Sequence, residues 1–212
     1  MLRRRNKQPV LAEVPPRESS SSARPGALGR EQLSAFAGLA RELAGSGSVF
    51  LTGPARASAA LGLAAAATAE GRRVALLECD LAEPALAATL GLADTPGLHE
   101  YLREAADATQ ILQPLVLAGP AAGRATEPLT CIVAGEPEPQ PVALLDSERC
   151  DHAIERLRRA YDLLVIAGPS LEEDPDSLRA LAEHVSATLL CGERREIPKR
   201  PPVAATGAVV FA

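Results

Sequence analysis

Aromatic side chains are almost absent from this 212-residue chain, which has no Trp, two Tyr and three Phe. A core must therefore be assembled from Ala, Leu, Val and Ile. Single-strand nucleic-acid platforms, which stack bases on aromatic rings, are excluded as a class. Long apolar runs are missing too, and none approaches the roughly 20 residues that a membrane-spanning helix requires. The opening text, "MLRRRNKQPVLAEVPPRE", is basic but lacks the apolar centre of a secretory leader. The four cysteines, Cys79, Cys131, Cys150 and Cys191, are scattered with no CxxC pair. That pattern reads as reduced, buried thiols of a cytoplasmic protein and gives no zinc site.

What is present is a globular balance, 47% hydrophobic and 23% charged. The net charge of −5 is unevenly spread. Residues 1–25 carry six basic side chains against Glu13 and Glu18, which leaves the remainder strongly acidic. An acidic body argues against nucleic acid as a partner. Residues 1–29, with Pro15, Pro16, a serine run at 19–22 and Pro25, read as a flexible basic extension. Two uses of it stand: a solvated leader, or a patch drawn to anionic lipid at the inner face of the membrane or to an acidic partner. One arginine cluster is by itself a weak anchor.

From residue 30 onward the text alternates. Segments 48–52, 74–78, 129–134, 162–168, 187–191 and 207–212 are short, nearly continuous apolar runs, as strands buried on both faces of a parallel sheet are. Between them lie helix candidates at 30–44, 57–70, 84–91, 97–105, 142–160 and 175–184. The stretch 192–206 is too short and proline-rich for a full crossover helix. Alternation of this kind predicts one α/β domain over 30–212, a three-layer sandwich around a mostly parallel sheet. Ligands of such folds sit at the carboxyl ends of the strands.

The loop after the first of these strands, "SVFLTGPARASAALG", is the natural anion site. A phosphate-cradling loop needs small residues whose N–H groups converge, a Lys for the outer phosphates and a hydroxyl for Mg²⁺. The pattern GxxxxGK[ST] is absent. Gly53 is in place, Pro54 has no N–H, and Arg56 and Ser58 are the nearest substitutes for the Lys and the hydroxyl.

Two longer blocks add to this reading. In "GRRVALLECDLAEPALAATLGLADTPGLHEYL" (71–102), Gly71, Arg72, Arg73, Val74, Asp80, Leu81, Pro84, Gly91, Leu92, Pro96, Gly97, Leu98 and Leu102 fall in a fixed order. In "AGEPEPQPVALLDSERCDHAIERLRRAYDLLVIAGPS" (134–170), so do Gly135, Pro137, Pro139, Leu144, Leu145, Ser147, Glu148, Tyr161, Asp162, Ile166 and Pro169. Both blocks resemble the bacterial tyrosine autokinases of capsule and exopolysaccharide synthesis, members of the MinD/ParA-like class of P-loop ATPases. The resemblance covers about residues 30–192. It implies a P-loop NTPase-like fold, ATP or ADP with Mg²⁺ as the ligand of the parent family, and a membrane polysaccharide co-polymerase or chain-length protein, or an active kinase, as partner. It also implies a possible homo-oligomer.

Carried over residue by residue, the same resemblance implies a damaged site. The first loop is about four residues short. Arg56 falls at the phosphate-binding Lys, Ala57 at the Mg²⁺-binding hydroxyl, and Ser58 just after it. Glu78 replaces the first Asp of the Asp-x-Asp turn, and Asp80 keeps the second. Ala167 stands at the later-strand Asp and Gly168 at the Thr that follows. Ala212 stands where the base-contacting Asn would fall. No Tyr occurs after Tyr161, so the autophosphorylated Tyr-rich tail has no counterpart, and the oligomerisation pattern is poorly matched at Glu31, Ser34 and Ala37. The expectation is a vestigial nucleotide site at Gly53, Arg56, Ser58 and Asp80, more in keeping with no bound cofactor than with ATP or ADP. No catalytic or metal-binding residue is assigned. The chain then reads as a non-catalytic or weakly active regulatory or scaffold subunit of polysaccharide assembly. An active autokinase and a MinD/ParA-like positioning protein are the alternatives. His99, His152 and His184, Tyr101 and Tyr161, and the acidic run Glu172, Glu173, Asp174 and Asp176 are expected to serve packing or solvation.

Overall fold

The computed structural model describes residues 8–16, 28–117, 128–171 and 175–212. Among them one eight-stranded sheet organises the chain, in the order β1-β8-β7-β2-β6-β3-β5-β4. The strands are β1 (Val10–Val14), β2 (Ser48–Thr52), β3 (Val74–Glu78), β4 (Gln113–Leu115), β5 (Leu129–Ile132), β6 (Leu163–Ala167), β7 (Ala187–Glu193) and β8 (Gly207–Phe211). Every pairing is parallel except β4 with β5. The helices are α1 (Arg30–Glu42), α2 (Arg56–Ala69), α3 (Leu86–Leu90), α4 (Leu98–Leu102), α5 (Val142–Leu145), α6 (Glu148–Ala160) and α7 (Pro175–Ala182).

The apolar runs behave as expected of central strands: all five residues of β2, β3 and β6 are buried. Strand side chains point alternately to opposite faces, so each run serves two cores. Val49 and Leu51 join Leu76 and Val165 beneath α1, α2 and α3. Phe50 joins Leu77 and Ile166 beneath α4, α5, α6 and α7. This is the three-layer sandwich read from the sequence. Helix α2 is built largely of alanine and lies almost wholly buried between α1 and the sheet. Its Gly62 meets the ring of Phe36, and a Cβ there would fall 2.1 Å from Phe36 Cε2.

Three elements differ from expectation. The helix expected over 142–160 is two helices. The chain turns at Asp146, and Ser147, in extended backbone, restarts it by accepting a hydrogen bond from Cys150 N–H at 3.2 Å. Strand β4 escapes sequence reading because it has three residues and contains Pro114, which an edge strand tolerates. Most consequentially, Val10–Val14 lies inside the segment read as a basic extension, yet forms strand β1 parallel to β8. Ala12 and Val14 point into the core, while the prolines and charges on either side mask that short alternation. Pro15 O then accepts from buried Gln32 Nε2 at 3.1 Å, which ties the strand's exit to α1. The connection from β7 to β8 contains no helix, as its prolines require. Among the described residues no helix is long and apolar enough to cross a membrane.

Candidate functional site

The carboxyl ends of β2, β3, β6 and β7 converge on the loop from Gly53 to Arg56. Thr52 closes β2 by donating its hydroxyl to Pro169 O at 2.7 Å. Gly53 then takes φ = 105°, the left-handed region open to glycine. A Cβ there would stand 2.4 Å from Cys191 O, so the loop lies directly on the end of β7. Its N–H groups do not converge on an empty cradle. Pro54 has none, Ala55 N–H donates to Cys191 O and Arg56 N–H to Gly53 O, each at 3.1 Å.

The Arg56 side chain is only 16% exposed and forms a direct ion pair with Asp80, which is 6% exposed. Arg56 Nη2 meets Asp80 Oδ2, and Arg56 Nη1 donates to Gly53 O at 3.4 Å. The other oxygen of Asp80 accepts from Glu83 N–H at 3.1 Å, closing the turn after β3. Ser58, two residues into α2, is exposed, and the hydrogen bonds of this pairing do not involve it. Thus the structure brings Gly53, Arg56 and Asp80 together and leaves Ser58 on the surface.

Glu78 is buried beneath the same turn. Its Oε1 accepts from Ala85 N–H at 2.6 Å and Leu86 N–H at 2.8 Å, and its Oε2 from Ala134 N–H at 3.1 Å. One carboxylate thereby holds the start of α3 and the end of β5. Burial pushes its pKa above the ordinary 4.5, against these backbone bonds, and the charge of Asp80 adds to the rise. At the end of β6, Ala167 is buried and its carbonyl accepts from Cys79 N–H at 2.8 Å. Gly168 sits against the ring of Phe50, where a Cβ would come within 1.9 Å of Phe50 Cε2.

Chemically, this arrangement offers one guanidinium, already paired, and the start of a 14-residue helix. Its side chains offer magnesium no free carboxylate; such an ion is held by one or two protein oxygens, with water and phosphate completing its octahedron. Ala167 and Gly168 supply no side-chain oxygen, both oxygens of Glu78 are engaged by the backbone, and Asp80 is held by Arg56.

The remaining sequence candidates are structural. His99 Nδ1 lies 3.3 Å from Glu100 Oε1, and its Nε2 accepts from Arg103 Nε at 2.8 Å. Glu100 also accepts from Gly97 N–H at 2.6 Å and Glu136 N–H at 3.0 Å, and Arg103 pairs with Glu138. His99, Glu100 and Glu136 bring ligand atoms within 4.8 Å of one another. Both ring nitrogens and both Glu100 oxygens are nevertheless engaged inside the protein, so the group fastens α4 to the segment after β5. His184 pairs with Asp151 at 3.0 Å, and His152 is exposed on α6. Tyr101 is 8% exposed, with the guanidinium of Arg149 4.5 Å from its ring centroid; Tyr161 is half-buried. Asp176 pairs with Arg179 in the first turn of α7, whereas Glu172, Glu173 and Asp174 lie outside the described residues. Ala212 N–H donates to Val14 O at 3.0 Å beyond β8. Sequence reasoning missed Phe50 and Cys191 as parts of the site. The first acts by the volume of its ring and the second through its backbone carbonyl, and neither leaves a motif.

No protein-family model and no curated protein sequence matches the chain. Solved structures do match in fold. The kinase domain of the Escherichia coli tyrosine kinase ETK aligns over 96% of this chain and 89% of its own, with 19% identity and a TM-score of 0.77. The VpsO kinase domain aligns over 85% and 93%, with 22% identity and a TM-score of 0.70. MinD of Pyrococcus horikoshii, solved with Mg-ADP, aligns over 70% and 58%, with 18% identity and a TM-score of 0.54. The chain therefore has the fold of the bacterial tyrosine-kinase domains and, more distantly, of the MinD-type P-loop ATPases. The family resemblance read from its sequence holds at the level of fold.

Proposed function

We propose that this chain is a non-catalytic or weakly active counterpart of the tyrosine-kinase domains, serving as a regulatory or scaffold subunit in exopolysaccharide or capsule assembly. The reading rests on the fold together with the two sequence blocks of the first and second halves. The observation that carries it is the end of β6: Ala167 and Gly168 provide no side-chain oxygen for a metal, and the Phe50 ring fills the adjoining space. Phosphoryl transfer depends on positioning and on metal-borne neutralisation of charge. A site without those ligands loses most of that stabilisation. What remains is an acidic α/β body with a basic N-terminal segment, suited to holding partners together at the membrane face.

The test is direct. The purified chain is incubated with Mg-ATP and followed for ADP release and phosphotyrosine, against an Arg56→Ala control. The expected result is no turnover above the control; a signal that Arg56→Ala abolishes would make the chain an active autokinase. Pull-down from membrane extracts is expected to recover a polysaccharide co-polymerase or an active kinase. Recovery of neither, with polar or midcell foci of a tagged copy, would favour a positioning role.

A further inference from the structure

We propose that the β1–β8 edge of the sheet, together with the connection from β7 to β8, is a basic face that rests on an anionic lipid surface. The fold joins two basic segments that lie far apart in the chain. Strand β1 covers β8, and Pro9 O accepts from Ala208 N–H at 2.8 Å. The chain enters that strand from a stretch holding Arg3, Arg4, Arg5 and Lys7. On the same edge, the connection after β7 carries Arg194, Arg195, Lys199 and Arg200, all exposed. Arg194 pairs with Glu13 of β1, which fixes the connection beside the strand. One arginine cluster is a weak anchor, but the structure places a second beside the strand that the first one enters. The inference does not rest on the scaffold reading, because a lipid-facing edge would serve an active kinase equally well.

The charge here is only partly compensated. Glu193 pairs with Arg195 at 2.9 Å, and Glu196 accepts from Glu193 N–H at 2.7 Å. Lys199 and Arg200 have no ion pair among the described residues. Residues 1–16 and 193–206 together hold eight basic and three acidic side chains, and the rest of the chain fourteen basic against twenty-four acidic. The molecule is thus polarised: an anionic surface attracts this edge and repels the remainder, which sets the orientation of docking. The chemistry of the face favours lipid over an acidic protein. Ile197 packs against the cluster of Leu190, Ala208 and Val210, and Val203 is buried in the core beneath α7. The connection therefore spends its large apolar side chains inward and shows cations and prolines outward. A protein interface needs an apolar centre, whereas a layer of anionic headgroups attracts lysine and arginine without one.

The experiment is co-sedimentation of the full chain with vesicles of equal parts phosphatidylglycerol and phosphatidylcholine, against vesicles of phosphatidylcholine alone. Binding is expected only to the mixed vesicles at about 0.1 M salt, and is expected to be lost near 1 M, where screening shortens to about 3 Å. Lys199→Gln with Arg200→Gln removes two unpaired charges and is expected to weaken binding about thirtyfold. Arg3→Gln, Arg4→Gln and Arg5→Gln together are expected to weaken it by at least as much. No binding to the mixed vesicles overturns the proposal, even if an acidic protein is captured instead, as does equal binding to both kinds of vesicle. Unchanged binding by the Lys199→Gln, Arg200→Gln chain also overturns it, since the N-terminal cluster would then act alone. Melting curves establish that the variants fold. Should the paired variant not fold, hydrogen exchange of the unaltered chain decides: mixed vesicles are expected to slow exchange over 194–200, and no slowing there overturns the proposal. Turnover and partner capture are separate readouts, so failure here is distinguishable from failure of the scaffold reading.

Discussion

The ring of Phe50 and the missing side chain of Gly168 are complementary: a Cβ on Gly168 would stand 1.9 Å from Phe50 Cε2. A methyl group cannot be added there without displacing a ring that is itself fully buried between β2 and its neighbours. Gly168→Ala is expected to destabilise the fold by about 1–3 kcal/mol, the usual cost of overfilling a packed core. Phe50→Leu in the same chain relieves part of it, giving a coupling of about 1 kcal/mol or more in a double-mutant cycle. Urea unfolding of the four chains measures this, and strict additivity would show that the two positions do not touch. Gly168→Thr adds still more volume and is expected to destabilise the fold further for the same reason.

Glu100 provides a pH-dependent contribution. Burial pushes its carboxyl up, but the N–H groups of Gly97 and Glu136 outweigh that effect and hold it below the ordinary 4.5. A depressed folded-state value means stability that is complete above 4.5 and lost as pH falls through the folded value. Glu100→Gln is therefore expected to be less stable at pH 7, by about 1.5–3 kcal/mol for hydrogen bonds to a charged acceptor. The gap should narrow as pH falls from about 5 to 3. A gap that is constant over that range would mean the charge of Glu100 contributes nothing. Glu78 acts in the opposite sense: its raised value favours the folded state at low pH and withdraws that help as pH rises past 4.5.

All four cysteines are free and buried. Burial pushes the thiols of Cys131 and Cys150 to about 12 and raises those of Cys79 and Cys191 as well. The thiolate is the reactive form, so the native chain is expected to resist thiol reagents at pH 8 and to react fully in denaturant. Rapid labelling of one cysteine in the native chain would locate an opening of the fold that these positions do not suggest.

Much of the fold was legible because its strands are apolar on both faces. Within the runs read at 48–52 and 162–168, Val49–Leu51 and Leu163–Ala167 have no polar member to make their assignment ambiguous, and the alanine-rich stretch that became α2 contains no proline. The site was half legible. Gly53, Arg56 and Asp80 were marked by their places in a motif, and they do meet. Ser58 was marked in the same way, but the helix turns it to solvent. Phe50 and the Cys191 carbonyl were invisible, since ring volume and backbone acceptors belong to tertiary packing and leave no local pattern. The break at Ser147 was readable in principle, as a capping serine in the middle of a helical run. Strand β1 was hidden by its neighbours: five residues flanked by arginines and prolines average to a polar segment, although only Ala12 and Val14 need to be apolar.

That strand yields the last prediction. Its backbone covers the outer edge of β8, with Ala208 N–H donating to Pro9 O at 2.8 Å and Ala212 N–H to Val14 O at 3.0 Å. Val14 is fully buried, and Glu13 pairs with Arg194 of the β7–β8 connection. An uncovered edge exposes unpaired N–H and C=O groups and invites association with other strands. A chain lacking residues 1–16 is therefore expected to show faster hydrogen exchange at Ala208 and Ala212, a lower melting temperature and a greater tendency to aggregate. The milder Val14→Ala removes two methyl groups from a closed site and should cost about 1–2 kcal/mol on the scale of buried methyl deletions. Glu13→Gln, by contrast, touches an exposed ion pair worth at most about 1 kcal/mol and should scarcely change stability. If the truncated chain melts and exchanges like the full one, the segment is an extension after all, and β8 is the true edge of the sheet.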